Sequence, residues 1–478
     1  MVESNPQPYP LRTYPLSLRQ MTEEELAVVF AMTSRRPEPF DEIAQIVTAE
    51  KAEKFHERWV LGYGHASVAE HAVLHMAVEN LSRLSADTLE DNRLSSYTEK
   101  SSRYQLFSKD YYHIPSELDT RIELRAMFKE TCDHLFAVYE ELISGVSEFL
   151  KGERIQRENE TDKTYEFRLR REAIDSCRFV LPAATLTNIG MTINARSLEH
   201  AISKLLSSST NEEKDLGNAL KEKGREITPT LIKYAEYNDY MAAAVARGKN
   251  SPDEENMETE SIIDAKLINY DVDAERKVIA ALIYRYSNLS YERAFLNSAN
   301  MSDEDRRKVL MDNLSSLGPH DSPGRELEMV DYTFEMTMDY GAFREFKRHR
   351  MQSYIPQPFS PNLGIFIPPL IRGSNLESTF RSAISKAEEG YYQLETGLPH
   401  VAPYLLTHAH RRRLITKINL RECYHLFKLR TQRQAHFSLR QVMDKALRLV
   451  VGVHPELFRH LSLRDIPDWW PYRADSEI

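Results

Sequence analysis

The chain predicts a mixed helix-and-strand fold built twice over, and three observations carry that expectation. Tyr332, Phe334, Met336 and Met338 alternate with Thr333, Glu335, Thr337 and Asp339, the period of a strand with one buried and one polar face. Leu439, Val442, Met443, Ala446, Leu447 and Val450 fall instead on one helical stripe before Gly452, which reads as core packing. The third observation is a repeat. The segment from Asp91 to Tyr104 lays onto the one beginning at Arg348, so that Arg93, Ser96 and Tyr97 coincide with Arg350, Ser353 and Tyr354.

In chain order, each half runs through a helical segment, a Gly/Pro turn with a histidine, a strand, a short helix into the repeated motif, and two longer helices. The first-half strand is carried by Leu74, Met76 and Val78 and ends before Ser82. Near the end of each half, Asn194-Ala195-Arg196 and Asn419-Leu420-Arg421 open a second match with the order Asn-x-Arg-x-x-x-His. Leu420, Cys423, Tyr424 and Phe427 have helical spacing there, which places Arg421 and His425 on one face. Residues 248–261 are acidic, polar and nearly free of large apolar side chains, as a solvated linker is. These signals divide the chain into a first repeat at 1–248, an acidic linker at 249–262 and a second repeat at 263–478. The charged segment Gly152 to Lys163 occurs in the first half only and reads as an exposed insertion, and Trp469-Trp470-Pro471-Tyr472 as a docked tail.

Composition narrows the function classes. With 41% apolar and 28% charged residues, the 478-residue chain has material for two or three globular cores. A net charge of −10 argues against bulk nucleic-acid binding but leaves room for a local basic cleft. No apolar run approaches the roughly 18 residues of a membrane span, and Met1 to Gln20 lacks a basic segment followed by an apolar one, so a cytoplasmic location is expected. Cys132, Cys177 and Cys423 support neither a disulfide framework nor a zinc ribbon. His71 and His75 have zinc-binding spacing for a helix, but in a strand four residues span about 13 Å, too far to share a metal. Ser101 has no Gly-x-Ser-x-Gly turn around it, and no complete Gly-x-Gly-x-x-Gly or phosphate-loop motif occurs.

Guanidinium groups hold phosphates through charge-assisted bonds worth about 1.5–3 kcal/mol each. Arg348-His349-Arg350, placed after a strand and a short helix, therefore points to a phosphorylated ligand. Other basic runs, His410-Arg411-Arg412-Arg413 and Arg306-Arg307-Lys308, read as solvated helix faces.

On these residues the chain resembles the flavin-dependent thymidylate synthases. Their signature is close to Arg-His-Arg-x-x-Ser-Tyr-Asn-Glu-x-Ser-x-Arg-Tyr, preceded by a His-rich turn into a strand and followed by Asn-x-Arg on a helix. His65 to His71 looks like that turn in the first half, and His320-Asp321-Ser322-Pro323 in the second. Arg178-Phe179-Val180-Leu181-Pro182, followed by Asn194 and Arg196, is similar to the family's C-terminal part. The resemblance implies two tandem domains of the α/β (α+β) class, each a mainly antiparallel sheet with long helices. It also implies FAD as cofactor, NADPH and methylenetetrahydrofolate as co-substrates, and conversion of dUMP to dTMP without an enzymic cysteine nucleophile. The expected assembly is a homodimer of tandem chains imitating the family's tetramer, with dUMP and folate as small-molecule partners and neither membrane nor nucleic acid.

Carried over residue by residue, the resemblance assigns FAD to Ser67, Glu70, Glu99, Asn194, Arg196 and His200 in the first repeat. In the second it assigns FAD to Arg348, His349, Arg350, Asn419, Arg421 and His425. The nucleotide would be held by Glu99, Ser101, Arg103, Arg178 and Arg430, with Arg430 also catalytic because a nearby guanidinium favours the ionised uracil. Neither repeat is complete. The first has Asp91, Asn92 and Leu205 where Arg, His and Arg would stand, and the second has Pro356, Pro358, Ser360 and Pro403 in place of Glu99, Ser101, Arg103 and Arg178. Because the losses barely overlap, one working site combining both repeats is expected. Two family positions fail in both copies: a glutamine, replaced by Thr88 and Glu345, and a histidine, with Ser209 and Gln434 near its place and His436 close by. A carboxylate at Glu345 would repel a phosphate. An inactive tandem relative that binds flavin or nucleotide, or serves assembly, is the alternative expectation.

Overall fold

A computed structural model describes residues 21–34, 36–62, 66–247, 262–318 and 320–473. The strands described are β1 (Val73–Ser82), β2 (Ser95–Glu99), β3 (Leu186–Asn194), β4 (Ala265–Tyr270), β5 (Asp331–Asp339), β6 (Ser353–Pro356) and β7 (Arg411–Asn419). They form two antiparallel sheets, ordered β1-β3-β2 and β4-β5-β7-β6, among many helices, which is an α+β architecture. Both strands read from alternation are present as β1 and β5, and Tyr332, Phe334 and Met336 of β5 are fully buried.

Geometry repeats along with sequence. Val73 pairs with Asn194 in the first sheet, as Asp331 pairs with Asn419 in the second. Ser96 pairs with Thr192, two residues before Asn194, and Ser353 pairs with Lys417, two residues before Asn419. Each leading strand ends in a residue that caps the next short helix. Ser82 Oγ accepts from the Ser85 N–H at 3.0 Å ahead of the helix Arg83–Leu89, and Asp339 Oδ1 accepts from the Ala342 N–H at 2.9 Å ahead of Tyr340–Phe346. The two repeated asparagines do likewise: Asn194 accepts from Ser197 at 2.9 Å and Asn419 from Glu422 at 2.8 Å, opening the helices Ala195–Leu206 and Leu420–Arg430. Each cap contributes about 1 kcal/mol and fixes where its helix starts.

One basic run is not a helix face. Arg411, Arg412 and Arg413 open β7, which lies between β5 and β6, while Leu414, Thr416 and Ile418 turn fully into the core. The alternation starts only after the arginines, and Arg412 lies over the Phe343 ring at 4.6 Å.

The compact units do not follow the two halves. One comprises Met1–Ser101, Tyr112–Ile122 and Thr185–Pro252, and the other Ser102–Tyr111, Glu123–Ala184 and Asp253–Ile478. One divide between the units, at 252/253, falls within the expected connector at 249–262, of which residues 249–261 lie outside those described, whereas 102–111 and 123–184 of the first half group with the second unit. Almost all of the long first-half helices Ile122–Glu153 and Asp162–Cys177 belong to the unit that holds β4 to β7. There the first of them packs on the second-half helix Glu377–Glu395. A Cβ on Gly390 would stand 2.7 Å from Leu405 Cδ1 and 3.2 Å from Met127 Sδ, so a larger residue there would displace these side-chain ends. The other unit has its own core, in which Leu74, Leu198, Ile202 and Leu205 are completely enclosed or nearly so. The charged insertion forms the tip between the two long first-half helices, with Ile155 almost fully exposed. The C-terminal tail is docked: Trp470 is buried, and Trp469 Nε1 donates to Asp444 at 2.7 Å. Among the described residues no helix is long and apolar enough to cross a membrane.

Candidate functional site

The helix Tyr340–Phe346 delivers the chain into the turn that carries His349, and the helix Leu420–Arg430 ends beside it. Arg430 Nε donates to His349 Nε2 at 2.8 Å, and Arg430 Nη1 donates to Glu345 Oε1 at 2.6 Å. Since Nε2 accepts, the imidazole proton sits on Nδ1, which donates to Glu422 Oε1 at 2.9 Å. Burial lowers the His349 pKa, the Glu422 bond opposes that shift and the Arg430 charge adds to it, so His349 is neutral. Burial also lowers the Arg430 pKa. Its remaining nitrogen, Nη2, makes no hydrogen bond among the described residues and is the donor left for a ligand.

A cavity of 310 Å³ opens beside this network, with Arg348, Arg350, Arg421, His425 and Glu328 in its walls. Arg421 is held in place by donating to the Pro323 carbonyl at 2.9 Å and to Glu328 Oε1 at 2.8 Å. Three guanidinium groups against Glu328 and Glu422 leave the lining positive, which suits a diphosphate. The volume is at the low end of the roughly 300–1,000 Å³ of small-molecule sites, enough for part of a dinucleotide such as FAD. The residues present therefore fit the charged end of that cofactor.

A second basic cluster lies in the same compact unit, built largely from first-half sequence. Arg103 grips Asp175 with two bonds of 3.1 Å, and its Nη1 reaches the Gln434 carbonyl at 3.4 Å. Arg178 Nη1 donates to Ser102 Oγ at 2.8 Å, its Nε is 3.3 Å from Asp175 Oδ1, and that Nε is buried without a hydrogen bond. Glu345 acts electrostatically on Arg103, Arg178 and Arg430, and Arg103 acts on Arg430. Burial works against the Arg103 charge, yet Asp175 raises its pKa overall; at Arg178, burial prevails and lowers it. Burial pushes the neighbouring Asp339 up to about 6. His436 stacks on Phe179 at 5.4 Å, and burial together with Arg178 and Arg103 lowers its pKa, leaving it neutral.

Not every expected residue joins these clusters. Glu99 and Ser101 belong to the other unit, where the Glu99 side chain is only 4% exposed and accepts from Arg83 Nη1 at 3.0 Å. Its carboxylate is held in an internal pair. In that unit Arg196 Nη1 meets Glu70 Oε1 at 2.5 Å, the counterpart of Arg421 and Glu328, while Asn194 is a cap. His200 and Ser67 are exposed, and Ser67 lines a separate 280 Å³ cavity with Trp59 and His71. Where the second half has Arg348, His349 and Arg430, the first has Asp91 3.8 Å from Lys204, Asn92 donating to the Leu89 carbonyl at 2.7 Å, and a fully buried Leu205. The anchoring carboxylates Asp175, Glu328 and Glu422 were not evident from sequence. Asp175 lies one helical turn before Arg178 and Glu422 adjoins Arg421, which are the signals that could have marked them.

Comparison with known proteins gives a consistent picture. The family model described as thymidylate synthase complementing protein matches residues 17–230 and again 266–456. A UPF0159 protein of Chlamydia muridarum is 30% identical over 433 residues, covering 87% of this chain and 82% of that protein. A UPF0159 protein of Thermoplasma acidophilum is 26% identical over 464 residues, covering 90% and 92%. A flavin-dependent thymidylate synthase of Clostridium tetani is 28% identical over 213 residues, covering 44% of this chain and 82% of that protein, as one copy of two would.

Proposed function

The chain belongs to the thymidylate synthase complementing protein family, and from that premise we propose that it methylates dUMP to dTMP with FAD at a site pooled from both halves. The observation that supports this reading is the convergence, within one compact unit, of Arg103 and Arg178 from the first half with Arg348, Glu345 and Arg430 from the second.

In this proposal Arg348, Arg350 and Arg421 hold the FAD phosphates, with Asn419 and His425 on the adjoining helix. FAD, recharged by NADPH, supplies the reducing equivalents for a one-carbon unit drawn from methylenetetrahydrofolate. Arg430 directs Nη2 toward the uracil and favours its negative form, an effect that burial strengthens. His349 accepts from Arg430 and so fixes the guanidinium, while Glu422 fixes the His349 tautomer. Arg103 and Arg178, both held by Asp175, take the nucleotide phosphate. The corresponding helix start at Asn194 and Arg196 is a pseudo-site. Assembly as a dimer imitating four domains and a cytoplasmic location belong to the same proposal.

A second reading rests on Asp175 and Glu345, which already neutralise these arginines: the protein binds flavin or nucleotide without turnover. Purified protein should be yellow and, given dUMP, methylenetetrahydrofolate and NADPH, should form dTMP measurable by chromatography. Bound flavin without dUMP-dependent oxidation would favour the second reading. Protein that takes up no FAD would sink both flavin readings.

A further inference from the structure

A chain of buried polar groups with no part in the proposed reaction ends at Asp175, the carboxylate that holds Arg103 and Arg178. It starts where β5 ends, at Asp339, whose Oδ1 accepts from the Ala342 N–H at 2.9 Å and whose carboxyl is hydrogen-bonded to Ser438. Ser438 stands at the start of the helix Phe437–Val453, with its Oγ 2.8 Å from His436 Nδ1. On the other side of the ring, His436 Nε2 lies 3.7 Å from Asp175 Oδ1. Asp339 and Ser438 are each 2% exposed and His436 is fully enclosed, against the rings of Phe179 and Phe437. All these residues belong to the unit that holds β4 to β7.

Ser438 has a single hydroxyl proton, so the chain can point either way. While Asp339 is ionised, that hydroxyl donates to the carboxylate, Oγ accepts from His436 Nδ1–H, and Nε2 is left bare. Nε2 is indeed buried without a hydrogen bond among the described residues. Once Asp339 is protonated, its own O–H donates to Ser438, the hydroxyl turns to Nδ1, and the imidazole proton sits on Nε2, facing Asp175. One proton is taken up in all: it enters at Nε2, the Nδ1 proton passes to Ser438, and the Ser438 proton passes to Asp339. The ring stays neutral throughout, because burial, followed by Arg178, Arg103, His408 and Arg440, lowers its pKa well below the ordinary value. Burial pushes Asp339 up to about 6 against the opposing pull of Ser438, the Ala342 amide and Arg178, which brings the change into a working pH range.

A buried N–H without an acceptor is unfavourable, and Asp175 Oδ1 is within reach of Nε2–H after a small shift. That same oxygen is 3.1 Å from Arg103 Nε and 3.3 Å from Arg178 Nε. We propose that His436 and Ser438 are positioning residues of the nucleotide site, a role that rests on the dUMP reading: through them, protonation of Asp339 draws Asp175 Oδ1 from the two arginines toward His436 and releases their donors to the phosphate. Uptake of the proton therefore tightens dUMP binding. Direct electrostatics gives the same sign, since a Cβ on Gly341 would stand 3.2 Å from Asp339 Oδ1 and 3.5 Å from Arg178 Nη2, which sets the carboxylate beside that guanidinium.

Full-length protein, isotope-labelled in its histidine nitrogens, separates the two when read by NMR at about pH 5 and about pH 7.5, with His436 assigned by the signals lost in His436→Gln. The neutral ring should carry its proton on Nδ1 at the higher pH and on Nε2 at the lower, and in Ser438→Ala it should keep one tautomer at both. Asp339→Asn, whose amide donates to Ser438 as the protonated acid does, should bind dUMP about fivefold more tightly than the parent at about pH 7.5 in calorimetric titration, and adding Ser438→Ala should remove that gain. Each affinity comparison is made at one pH, so ionisation of the dUMP phosphate cancels. The proposal is overturned if the parent ring keeps one tautomer at both pH values or becomes imidazolium, a result that needs no variant of Ser438 to fold. It is overturned equally if the Asp339→Asn gain survives the loss of Ser438, which would assign the effect to Asp339 and Arg178 alone. A tautomer that switches in protein binding no dUMP would sink the nucleotide reading, and the positioning role with it.

Discussion

The helix starts at Asn194 and Asn419 share a cap, an arginine at the second helical position gripped by a glutamate from the preceding turn, and the same strand register. Beyond that they diverge. The second-half helix runs on to Arg430 beside His349 and Glu345, and Arg348 lines the same cavity as Arg421; the first-half helix runs on to a buried Leu205, with Asp91 near Lys204 and Asn92 on the Leu89 carbonyl. Backbone capping and register preserve the scaffold, so the duplicated chemistry could be lost from one copy by changing a few side chains without losing its fold.

Restoring the missing arginine should therefore be costly. Leu205→Arg places a charge in the apolar core with Leu74, Leu198 and Ile202, where the described residues offer no counterpart of the Glu345 and His349 arrangement. We expect a loss of about 3–5 kcal/mol, seen as a collapse of the melting temperature. Retained stability would show that the first-half helix end is more open than its burial indicates.

Next in size is Arg430→Ala, expected to lower kcat for dTMP formation about 10²- to 10³-fold by removing the donor proposed to face the uracil. A loss under tenfold would remove Arg430 from the chemistry.

The two strand-end caps should also separate by pH. Asp339 is held up to about 6 against an ordinary 3.8, so below about pH 4 it is neutral in both folded and unfolded chains and costs nothing. Between pH 4 and 6 only the unfolded chain ionises, and stability falls by up to about 3 kcal/mol, a penalty that persists above pH 6. Asp339→Asn keeps a capping side chain and should lose this dependence, raising its melting temperature relative to the parent across that interval. Parallel melting curves for the two proteins would contradict the burial argument. Ser82, the corresponding cap, has no charge to titrate.

The smallest contrast is between the two repeated arginines. Arg421→Ala should weaken FAD binding about tenfold, roughly 1.4 kcal/mol, while Arg196→Ala should leave it within twofold. Equal effects in a flavin titration would mean that both helix starts bind cofactor.

Much of this was legible in the chain because it is local. Alternation located β1 and β5, apolar spacing placed Arg421 and His425 on a helix, and shared residues located the repeat. What escaped depended on distant partners. Arg411 to Arg413 read as a helix face because the strand's alternation begins only at Leu414, where burial takes over. Glu99 matched a binding motif, yet Arg83, a partner no spacing rule announces, holds it in the interior. Glu345 stood out as a misplaced carboxylate, but only its contact with Arg430 explains how the charge is tolerated.

The segment from Ser102 onward has a further consequence. Because the polypeptide leaves one body at Ser101, returns at Tyr112 and again at Thr185, first-half sequence supplies part of the unit that holds β4 to β7. Cutting such a gene at its acidic connector would not release two autonomous proteins: the upstream fragment would carry orphaned helices, and the downstream one would lack the guanidinium groups of Arg103 and Arg178.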